Sequence, residues 1–432
     1  MKSLWENNVK MPAFKKLDRD IKTDVLIIGG GIAGILCAYM LNNANINYIL
    51  AEADTICSKT TKNTTAKITS QHGLIYSKLE KEFGLDYAKL YLKANEEAVK
   101  SYRDLCKNID CDFETKDNYV YYSQNQYKLD KEISTLNKLN SSAVYVNNIP
   151  VPVKNFGAIK FENQAQFNPL KFISSISKNL NIYEHTRILE IDNGIAKTDK
   201  FSIKADKIIV ATHFPFINKH GLYFMKMYQH RSYVIALENA VQIDGMYVDD
   251  DDKGMSFRNY NNFLLVGGGG HRTGKSGGNF NELVEFKKSH FPNADIKYQW
   301  ATQDCMTLDG SQYIGQYSKN TPNLFTATGF NKWGMTSSML AANILTDLIM
   351  EKDNEYAEIF SPSRTMIRPQ LALNSIETIT NMIYPTVKRC SHMGCALKWN
   401  NAEHTWDCSC HGSRFDRHGN LIDNPANKNA DV

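Results

Sequence analysis

A predicted buried strand that runs into a glycine-rich turn limits the folds open to this chain more than any other feature. Residues 25–28 are four consecutive apolar residues, and the pattern Gly29-x-Gly31-x-x-Gly34 follows them directly. In such a turn the first glycine permits a tight bend, the second lets the backbone approach a pyrophosphate, and the third lets the next helix pack on the strand. Free N–H groups at the start of that helix attract phosphate. The pattern therefore predicts a dinucleotide-binding βαβ unit.

An acidic residue follows at the distance that a bound dinucleotide requires. Residues 47–51 form the second predicted strand, and Glu52 comes directly after them. It lies about 20 residues beyond the glycines, where a carboxylate accepts a hydrogen bond from a ribose hydroxyl. Ala53, together with Ile32 and Ala33 at the start of the helix, belongs to the same predicted site. An apolar βα unit whose glycines serve only packing is the alternative.

Two loops carry the residue types that contact phosphates. The hydroxyl-rich segment 58–67, which includes Thr65, leaves the second strand beside the predicted site. A phosphate or ribose contact and an ordinary solvated loop fit this segment equally well. Segment 269–276 matches the P-loop pattern GxxxxGK[ST], but poor helix formers follow its Lys275. Because a P-loop needs a helix at that point, we expect a flexible loop that binds no nucleoside triphosphate.

Composition and charge exclude several classes of protein. The 432 residues suffice for two or three domains, and 42% hydrophobic with 22% charged residues is typical of a globular chain. A formal charge of +4 is too small to indicate nucleic acid or an anionic membrane. Residues 1–20 hold no apolar signal segment, and the long apolar run 25–41 contains the glycines of the nucleotide turn. We therefore expect a cytoplasmic protein without a membrane span or a nucleic-acid partner.

Predicted sheet segments interrupt the nucleotide unit and later return to it. Residues 77–106 have the apolar spacing of one long helix, and short strands are predicted between residues 110 and 165. A buried strand at 207–212 precedes further strands, and a last strand at 323–328 runs into a turn. A helix begins after this turn and extends to about residue 350. The order predicts a second subdomain inserted into the first.

The first 350 residues resemble the FAD-dependent amine and amino-acid oxidoreductases, among them D-amino-acid oxidase, glycine oxidase and sarcosine oxidase. The resemblance rests on the glycine turn, Glu52, the strand end at 210–212, the segment 309–315 and the turn from Gly329 to the helix. It implies a FAD domain with an antiparallel substrate sheet over the flavin. It also implies hydride removal from a carbon beside an amine, with FAD held non-covalently. The implied flavin contacts are Gly29, Gly31, Ile32, Ala33, Gly34, Glu52, Ala53, Thr65, Ile188, Thr212, Gly329, Gly334, Met335 and Thr336.

Substrate contacts are expected where the family's substrate sheet covers the flavin. Tyr228, His230 and Arg231 enter the strand predicted there, and we expect them to be catalytic. Arg231 suits a substrate carboxylate, which a guanidinium binds in bidentate fashion. A surface ion pair or a bond to the backbone is the alternative for Arg231. Residues 300–304 are a second candidate lining segment.

A second chemistry follows Pro362, where the composition changes. Cys390-x-His392 and Cys408-x-x-His411 are separated by fifteen residues, a spacing that closely resembles a Rieske iron–sulfur domain. In that domain two thiolates hold one iron of a 2Fe–2S cluster and two imidazoles hold the other. Zinc is the alternative, although structural zinc sites favour at least two residues between paired ligands.

The other cysteines carry weaker expectations. Cys395 and Cys410 match the positions that form a disulfide in respiratory and photosynthetic Rieske proteins, and whether they are bonded here stays open because cytosolic disulfides are rare. Phe415 stands where high-potential relatives have Tyr, which predicts a lower potential because one O–H donor is lost. The remaining five cysteines are expected to be small buried thiols, namely Cys37, Cys57, Cys106, Cys111 and Cys305.

Together these patterns predict an α/β FAD-binding, Rossmann-like domain with an inserted antiparallel substrate-sheet subdomain, followed by a small all-β Rieske domain. The expected bounds are 1–360 for the oxidoreductase, with FAD parts at about 20–105, 165–215 and 305–352 and substrate parts at about 106–164 and 216–304, and 361–432 for the Rieske domain.

The predicted function is oxidation of an amine or amino acid at the C–N bond, with electrons passing through the cluster to an external acceptor, a protein or a quinone-like molecule. The alternatives are a flavin and iron–sulfur reductase, or a redox sensor without amine turnover. A reductase that uses NAD(P)H would need a second GxGxxG after a strand, which the sequence lacks. The oligomeric state is not predicted.

Overall fold

The computed structural model describes residues 2–7, 9–365 and 367–432. The strands of the described chain are, in order, β1 (Ile21–Ile28), β2 (Tyr48–Ala51), β3 (Lys67–Ile68), β4 (Glu114–Tyr121), β5 (Val144–Val146), β6 (Ala158–Gln166), β7 (Ile182–Tyr183), β8 (Glu190–Asp192), β9 (Ile195–Lys197), β10 (Ser202–Val210), β11 (Met227–Glu238), β12 (Met246–Asp249), β13 (Ser256–Tyr260), β14 (Phe263–Arg272), β15 (Asp295–Thr307), β16 (Tyr313–Gln316), β17 (Leu324–Thr328), β18 (Leu397–Asn400), β19 (Thr405–Cys408), β20 (Arg414–Phe415) and β21 (Leu421–Asp423).

Helices connect these strands and cover the sheets. In the described chain they are α1 (Ile32–Asn43), α2 (Tyr76–Phe83), α3 (Leu85–Cys106), α4 (Tyr127–Lys138), α5 (Pro169–Ile176), α6 (Tyr223–Lys226), α7 (Asn279–His290), α8 (Gly334–Ile349) and α9 (Pro369–Ile383), with short 3₁₀ turns at Leu4–Glu6 and Thr60–Asn63. None of the helices that the structure describes combines the length and the hydropathy that a bilayer crossing requires.

The first sheet has the strand order β16-β17-β10-β1-β2-β7, with β9 and β8 added beside β10. The pairs from β17 to β7 are parallel. Successive side chains of a strand point to opposite faces, and in β1 Val25 and Ile27 pack into one apolar core whereas Leu26 and Ile28 pack into another. This sheet is therefore buried on both faces, which explains the uninterrupted apolar run that precedes the glycine turn.

The second sheet has the order β15-β11-β14-β13-β12-β4-β6-β3, with β5 beside β6. Its strands come from two separate stretches of the chain, and β3 comes from the segment that follows the nucleotide unit. The pairing is antiparallel except between β12 and β4, which run parallel. Those two strands belong to different stretches, so no hairpin fixes their relative direction.

Two expectations about local structure are wrong. The helix expected over 77–106 is divided into α2 and α3 at Gly84, whose φ of +93° suits glycine and ends the first helix. The glycine-rich segment 269–276 is only partly a loop, because β14 continues to Arg272 and pairs with β11 up to His230. The glycines at 267–270 lie inside this strand and concealed it in the sequence.

The C-terminal region contains α9 and a small antiparallel sheet, β18-β19-β20-β21. Its apolar core is small and is built largely from cysteines, among them Cys390, Cys395, Cys408 and Cys410, with Leu397 and Phe415. Such a small core supplies little stabilisation from apolar burial. A bound metal cluster would therefore contribute much of the stability of this unit.

Candidate active site

A cavity of about 480 Å³ opens where the glycine turn meets the carboxyl ends of β1, β10 and β17. Most of the residues proposed as flavin contacts line it, namely Gly29, Gly31, Ile32, Ala33, Glu52, Ala53, Thr65, Ile188, Thr212, Gly329, Gly334 and Met335. Gly34 and Thr336 lie just behind the wall. The Thr336 hydroxyl is 2.8 Å from Nε2 of His72 and donates to the carbonyl of Thr69. The cavity is therefore assembled from segments that lie far apart in the sequence.

Close backbone contacts explain two glycines of the turn. Gly29 has a φ of +108°, and a Cβ placed on it would lie 2.6 Å from the carbonyl oxygen of Ala211 on the neighbouring strand. A Cβ on Gly34 would overlap the carbonyl oxygen of Gly29, because α1 packs directly on the turn. Gly31 has an ordinary φ and more space, since the nearest atom to its Cβ would be Thr61 Oγ1 at 3.5 Å.

Replacing Gly34 by Ala is expected to destabilise the turn by about 1–3 kcal/mol, the usual cost of overpacking a dense site, and to lower the FAD content of the purified protein. Flavin absorbance per polypeptide and the thermal unfolding midpoint measure both effects. Gly334→Ala is a matched control, because that glycine also lines the cavity but a Cβ there would meet no atom within 4 Å. Equal FAD content in the two variants would contradict the packing argument.

Glu52 is held at the cavity wall by the backbone around it. Its Oε2 accepts a hydrogen bond from the N–H of Gly30 at 2.6 Å, and its Oε1 accepts one from Asp54 at 2.8 Å. Burial raises the pKa of this carboxyl, and the two N–H donors oppose that effect. Each oxygen retains acceptor capacity for a hydroxyl group of a ligand.

The four residues of the Cys-His pattern meet at one edge of the small sheet. The thiols of Cys390 and Cys408 are buried, and the imidazole rings of His392 and His411 have centroids 5.0 Å apart. Burial lowers the pKa of His392 to about 4 and that of His411 to about 3, so both rings are neutral, which is the form that binds metals. Cys395 and Cys410 form a disulfide beside them.

Unpartnered ring nitrogens mark this place as a ligand site. Nδ1 of His392 and both ring nitrogens of His411 are buried and have no hydrogen-bond partner in the described chain. Nε2 of His392 lies 3.0 Å from the side-chain oxygen of Asn218. Leaving a buried polar atom without a partner is costly, and Nδ1 is the nitrogen that both histidines leave open.

Comparison with known families decides the assignment. The sequence model of the DAO family, described as FAD-dependent oxidoreductases, matches residues 24–348. The chain belongs to the FAD-dependent oxidoreductase family. A second model, the Rieske [2Fe-2S] domain, matches residues 355–432. The predicted cofactors, FAD and a 2Fe–2S cluster, are thereby confirmed, as is the predicted fold class.

Relatives of this FAD-dependent oxidoreductase share one or both parts. YhfW of Bacillus subtilis (strain 168), whose name describes it as a Rieske 2Fe-2S iron-sulfur protein, is 33% identical over 487 aligned positions, covering 98% of this chain and 96% of that protein. Glycine oxidase from Geobacillus kaustophilus has a similar fold, with a TM-score of 0.67, 17% identity and coverage of 80% of this chain and 99% of that one. L-amino acid deaminase from Proteus vulgaris gives a TM-score of 0.65, 14% identity and coverage of 83% and 100%.

The residues present fit both cofactors. Ser58 Oγ and His213 Nε2 are buried polar atoms without a hydrogen-bond partner among the described residues, and both residues line the cavity beside the glycine turn. The N-terminus of α8 also opens into the cavity, where its positive dipole end favours a negatively charged group. At the other centre, two thiols and two open Nδ1 atoms are the donor set of a Rieske cluster.

The Rieske domain forms part of the cavity wall. Residues 421–424 and Asn427 line the same cavity as the glycine turn. The side-chain amide of Asn424 donates to the carbonyls of Thr212 and Phe214, each at 2.6 Å, at the end of β10. The two cofactor sites therefore share a wall within one chain.

Two glutamines of the second sheet donate hydrogen bonds directly to the Rieske domain, mainly to the loop at residues 408–412, which we call the cluster loop. Nε2 of Gln229 donates to the carbonyls of His411 at 3.1 Å and Asn424 at 3.2 Å. Nε2 of Gln303 donates to the carbonyl of Gly412 at 2.9 Å. On the same side, the ring of His411 lies edge-on to Phe224, with centroids 5.9 Å apart. The cluster loop is thus fixed to the sheet through its backbone.

The structure places Arg231 in this interface. Its guanidinium makes a bidentate ion pair with Glu403 of the Rieske domain, and the two side chains are only 3% and 8% exposed. Glu403 also accepts from Arg414 at 2.8 Å, and Arg414 pairs with Asp407 and Asp423. These carboxylates raise the pKa of Arg414 against the effect of burial. Glu403 thus occupies the fork of the guanidinium that was expected to bind a substrate carboxylate, and the role of Arg231 in substrate binding stays a prediction.

Tyr228 and His230 are not among the described residues that line the cavity. The guanidinium of Arg272 lies over the ring of Tyr228, 4.9 Å from its centroid. Burial and the neighbouring Lys332 lower the pKa of His230 to about 2, and its Nδ1 has no hydrogen-bond partner in the part of the chain that the structure describes. Further along β11, Ser232, Tyr233 and Val234 do line the cavity.

The sequence indicated several other cavity residues only weakly or not at all. The candidate segment 300–304 does contribute Thr302, Gln303 and Asp304 to the lining. His72, Lys332 and the four aspartates at 249–252 also line the cavity and were missed. The run of four acidic residues was the one visible signal among these, whereas single His and Lys residues in loops carry none.

Proposed function

We propose that this FAD-dependent oxidoreductase oxidises a small amine or amino acid at its C–N bond and passes the electrons to an external acceptor through its Rieske domain. When bound, FAD supplies two-electron acceptance and the 2Fe–2S cluster supplies one-electron transfer. The names of the two structural neighbours, glycine oxidase and L-amino acid deaminase, support amino acids or related amines as the substrate class.

One observation carries this proposal: the Rieske domain forms a wall of the flavin cavity in the same chain. Residues 421–424 line that cavity, and Gln303 touches both sites, because it lines the cavity and binds the carbonyl of Gly412 beside the ligand His411. A separate redox protein that docked only during electron transfer would not need a permanent interface at this cavity. The arrangement supports electron transfer within one polypeptide.

The charges in the cavity support an amine as the substrate. The aspartates at 249–252 and Asp304 line it, and acidic groups attract a substrate ammonium. Burial raises the pKa of Asp304 to about 6, an effect that Lys332 and Arg231 oppose. An amine must lose its proton before its carbon can release a hydride. We propose that the carboxylate of Asp304 accepts that proton, since a base is most effective when its pKa lies near the working pH.

The pH dependence of kcat/KM tests the role of Asp304. Because the deprotonated carboxylate is the active form and its pKa is about 6, kcat/KM is expected to fall as the pH drops through that value. Asp304→Asn should remove this acidic limb and lower kcat/KM at neutral pH by about 100-fold, the lower end of a general-base contribution. Asp252→Asn, an acidic cavity residue nearby, is the control and should keep the limb. Retention of the limb in Asp304→Asn would assign it to another group.

Anaerobic mixing with a panel of amines and amino acids tests the function as a whole. A true substrate should bleach the flavin absorbance first and then produce the EPR signal of a reduced Rieske cluster, without added mediator. Bleaching without the EPR signal would contradict the electron path. If no amine bleached the flavin but a reduced carrier protein reduced the cluster first, the chain would be a reductase that runs in the opposite direction.

A further inference from the structure

Exposed apolar side chains are concentrated on α9 and on the residues that flank it, beside the iron–sulfur site. Among the described residues, eight of the sixteen large apolar side chains that are exposed fall between residues 367 and 387. They are Ile367, Leu373, Ile376, Ile379, Met382, Ile383, Tyr384 and Val387, with exposed fractions from 36% to 88%. We call this group the α9 face. A contiguous exposed apolar face of this kind marks an interaction site.

An ordinary surface helix buries its apolar stripe against the protein, whereas α9 exposes it. Its polar side chains contact the protein instead. Asn374 accepts a hydrogen bond from Arg272 at 2.9 Å, and Glu377 forms an ion pair with Lys275 at 2.7 Å. The buried Asn381 receives the N–H of Ala396 on its backbone carbonyl. The polar face is thus fixed to the protein, and the apolar face is left without a partner in the described chain.

The surroundings of the α9 face are basic, although the charge of the whole chain indicates no anionic partner. Residues 361–400 contain five Lys or Arg, of which Arg364 and Arg368 pair with carboxylates elsewhere in the chain. The one acidic residue of this segment, Glu377, pairs with Lys275. Lys388, Arg389 and Lys398 take part in no ion pair within the described chain. Lys388 lies over the ring of Trp406, 3.9 Å from its centroid.

We propose that the α9 face lies on the surface of a lipid bilayer that contains anionic lipids. Its aliphatic side chains would enter the boundary between headgroups and acyl chains, and Lys388 and Lys398 would contact lipid phosphates. An amphipathic helix with an apolar face and basic flanks is the arrangement that binds such an interface without crossing it. A second copy of the chain fits this face less well, because two copies would bring the same cations together.

This inference goes beyond the proposed function by locating the electron exit. The chain that leaves α9 continues directly into the loop that holds Cys390 and His392. Arg389, at the start of this loop, donates to the carbonyls of Met382 at 2.8 Å and Gly394 at 3.0 Å. A bilayer at the α9 face would therefore lie beside the iron–sulfur site. An acceptor dissolved in the membrane could then receive the electrons.

Vesicle co-sedimentation of the full-length holoprotein tests the proposal. Vesicles of phosphatidylcholine alone are compared with vesicles that also contain phosphatidylglycerol. We expect binding to the anionic vesicles that weakens at high salt. The double variant Ile376→Ser/Ile379→Ser should bind them at least tenfold more weakly, because each side chain contributes apolar burial in the interface. Lys388→Gln/Lys398→Gln should lose the preference for anionic vesicles.

Val144→Ser/Val241→Ser is the matched control, since it removes two exposed apolar side chains elsewhere on the surface and should bind as the unaltered protein does. Amine-dependent bleaching of the flavin should be the same in all variants, which keeps this test independent of the proposed function. Absence of binding to anionic vesicles, or equal binding by the isoleucine variant, would overturn the proposal. A dimer in light scattering that only the isoleucine variant dissociates would assign the face to a second copy instead.

Discussion

Replacing Glu403 by Gln is expected to detach the Rieske domain from the flavin cavity. The variant leaves the guanidinium of Arg231 buried without its carboxylate, and breaking a buried ion pair in this way costs about 3–5 kcal/mol. Arg231 is 3% exposed, so water cannot replace the lost partner. Transfer of electrons from the reduced flavin to the cluster should slow about 100-fold or more, whereas reduction of the flavin by the amine should keep its rate. Rapid-mixing absorbance spectroscopy separates these two phases.

An exposed ion pair provides the comparison for this variant. Asp244, which pairs with Lys116, is 92% exposed, so Asp244→Asn should cost less than about 1 kcal/mol and leave both phases unchanged. The same experiment separates the two roles considered for Arg231. An unchanged rate of cluster reduction together with an altered KM for carboxylate-bearing amines would return Arg231 to substrate binding.

Replacing His411 by Ala is expected to remove the cluster and all turnover that depends on the external acceptor. The variant takes away one of the two neutral imidazoles and leaves one iron with a single nitrogen ligand. Iron content, acid-labile sulfide and the EPR signal should fall to background. The flavin that the variant retains should still be bleached by the amine, because the glycine turn and Glu52 belong to the other domain.

His220 offers a control for this change, since it is exposed and lies outside the cluster loops. His220→Ala should keep its iron, its EPR signal and its turnover. If His411→Ala retained the signal of a cluster with two nitrogen ligands, the ligand set would be wrong. If it retained turnover without the signal, electrons would leave the flavin by another path.

Features that depend on short spacing could be predicted from the sequence. The glycine turn and the two Cys-His pairs are each defined by residues a few positions apart, because local backbone geometry fixes their use, and Glu52 follows the glycines within the same βαβ unit. The partner of Arg231 could not be predicted in this way. It is Glu403, 172 residues further along and in another domain, and no local pattern connects the two residues.

The glycine-rich segment 269–276 shows why a motif alone misleads. Its glycines allow other segments of the same chain, and not a phosphate group, to approach its backbone closely. A Cβ on Gly270 would lie 2.7 Å from the ring of His230, and one on Gly274 would lie 2.5 Å from Ser409 in the cluster loop. The hydroxyl of Ser409 in turn donates to the carbonyl of Gly274 at 3.0 Å. The segment therefore forms part of the surface on which the Rieske domain packs. This role is visible only in the folded chain.

The wall that the Rieske domain adds to the cavity has a consequence for how the protein matures. Because residues 421–424 form part of the wall of the cavity at the glycine turn, we expect the flavin to enter before the C-terminal domain closes over it. The C-terminal domain can close only when its small cysteine-rich core is folded, and that folding depends on iron and sulfide. Iron starvation should therefore also reduce the flavin content of newly made chains, so that the supply of one cofactor limits the retention of the other.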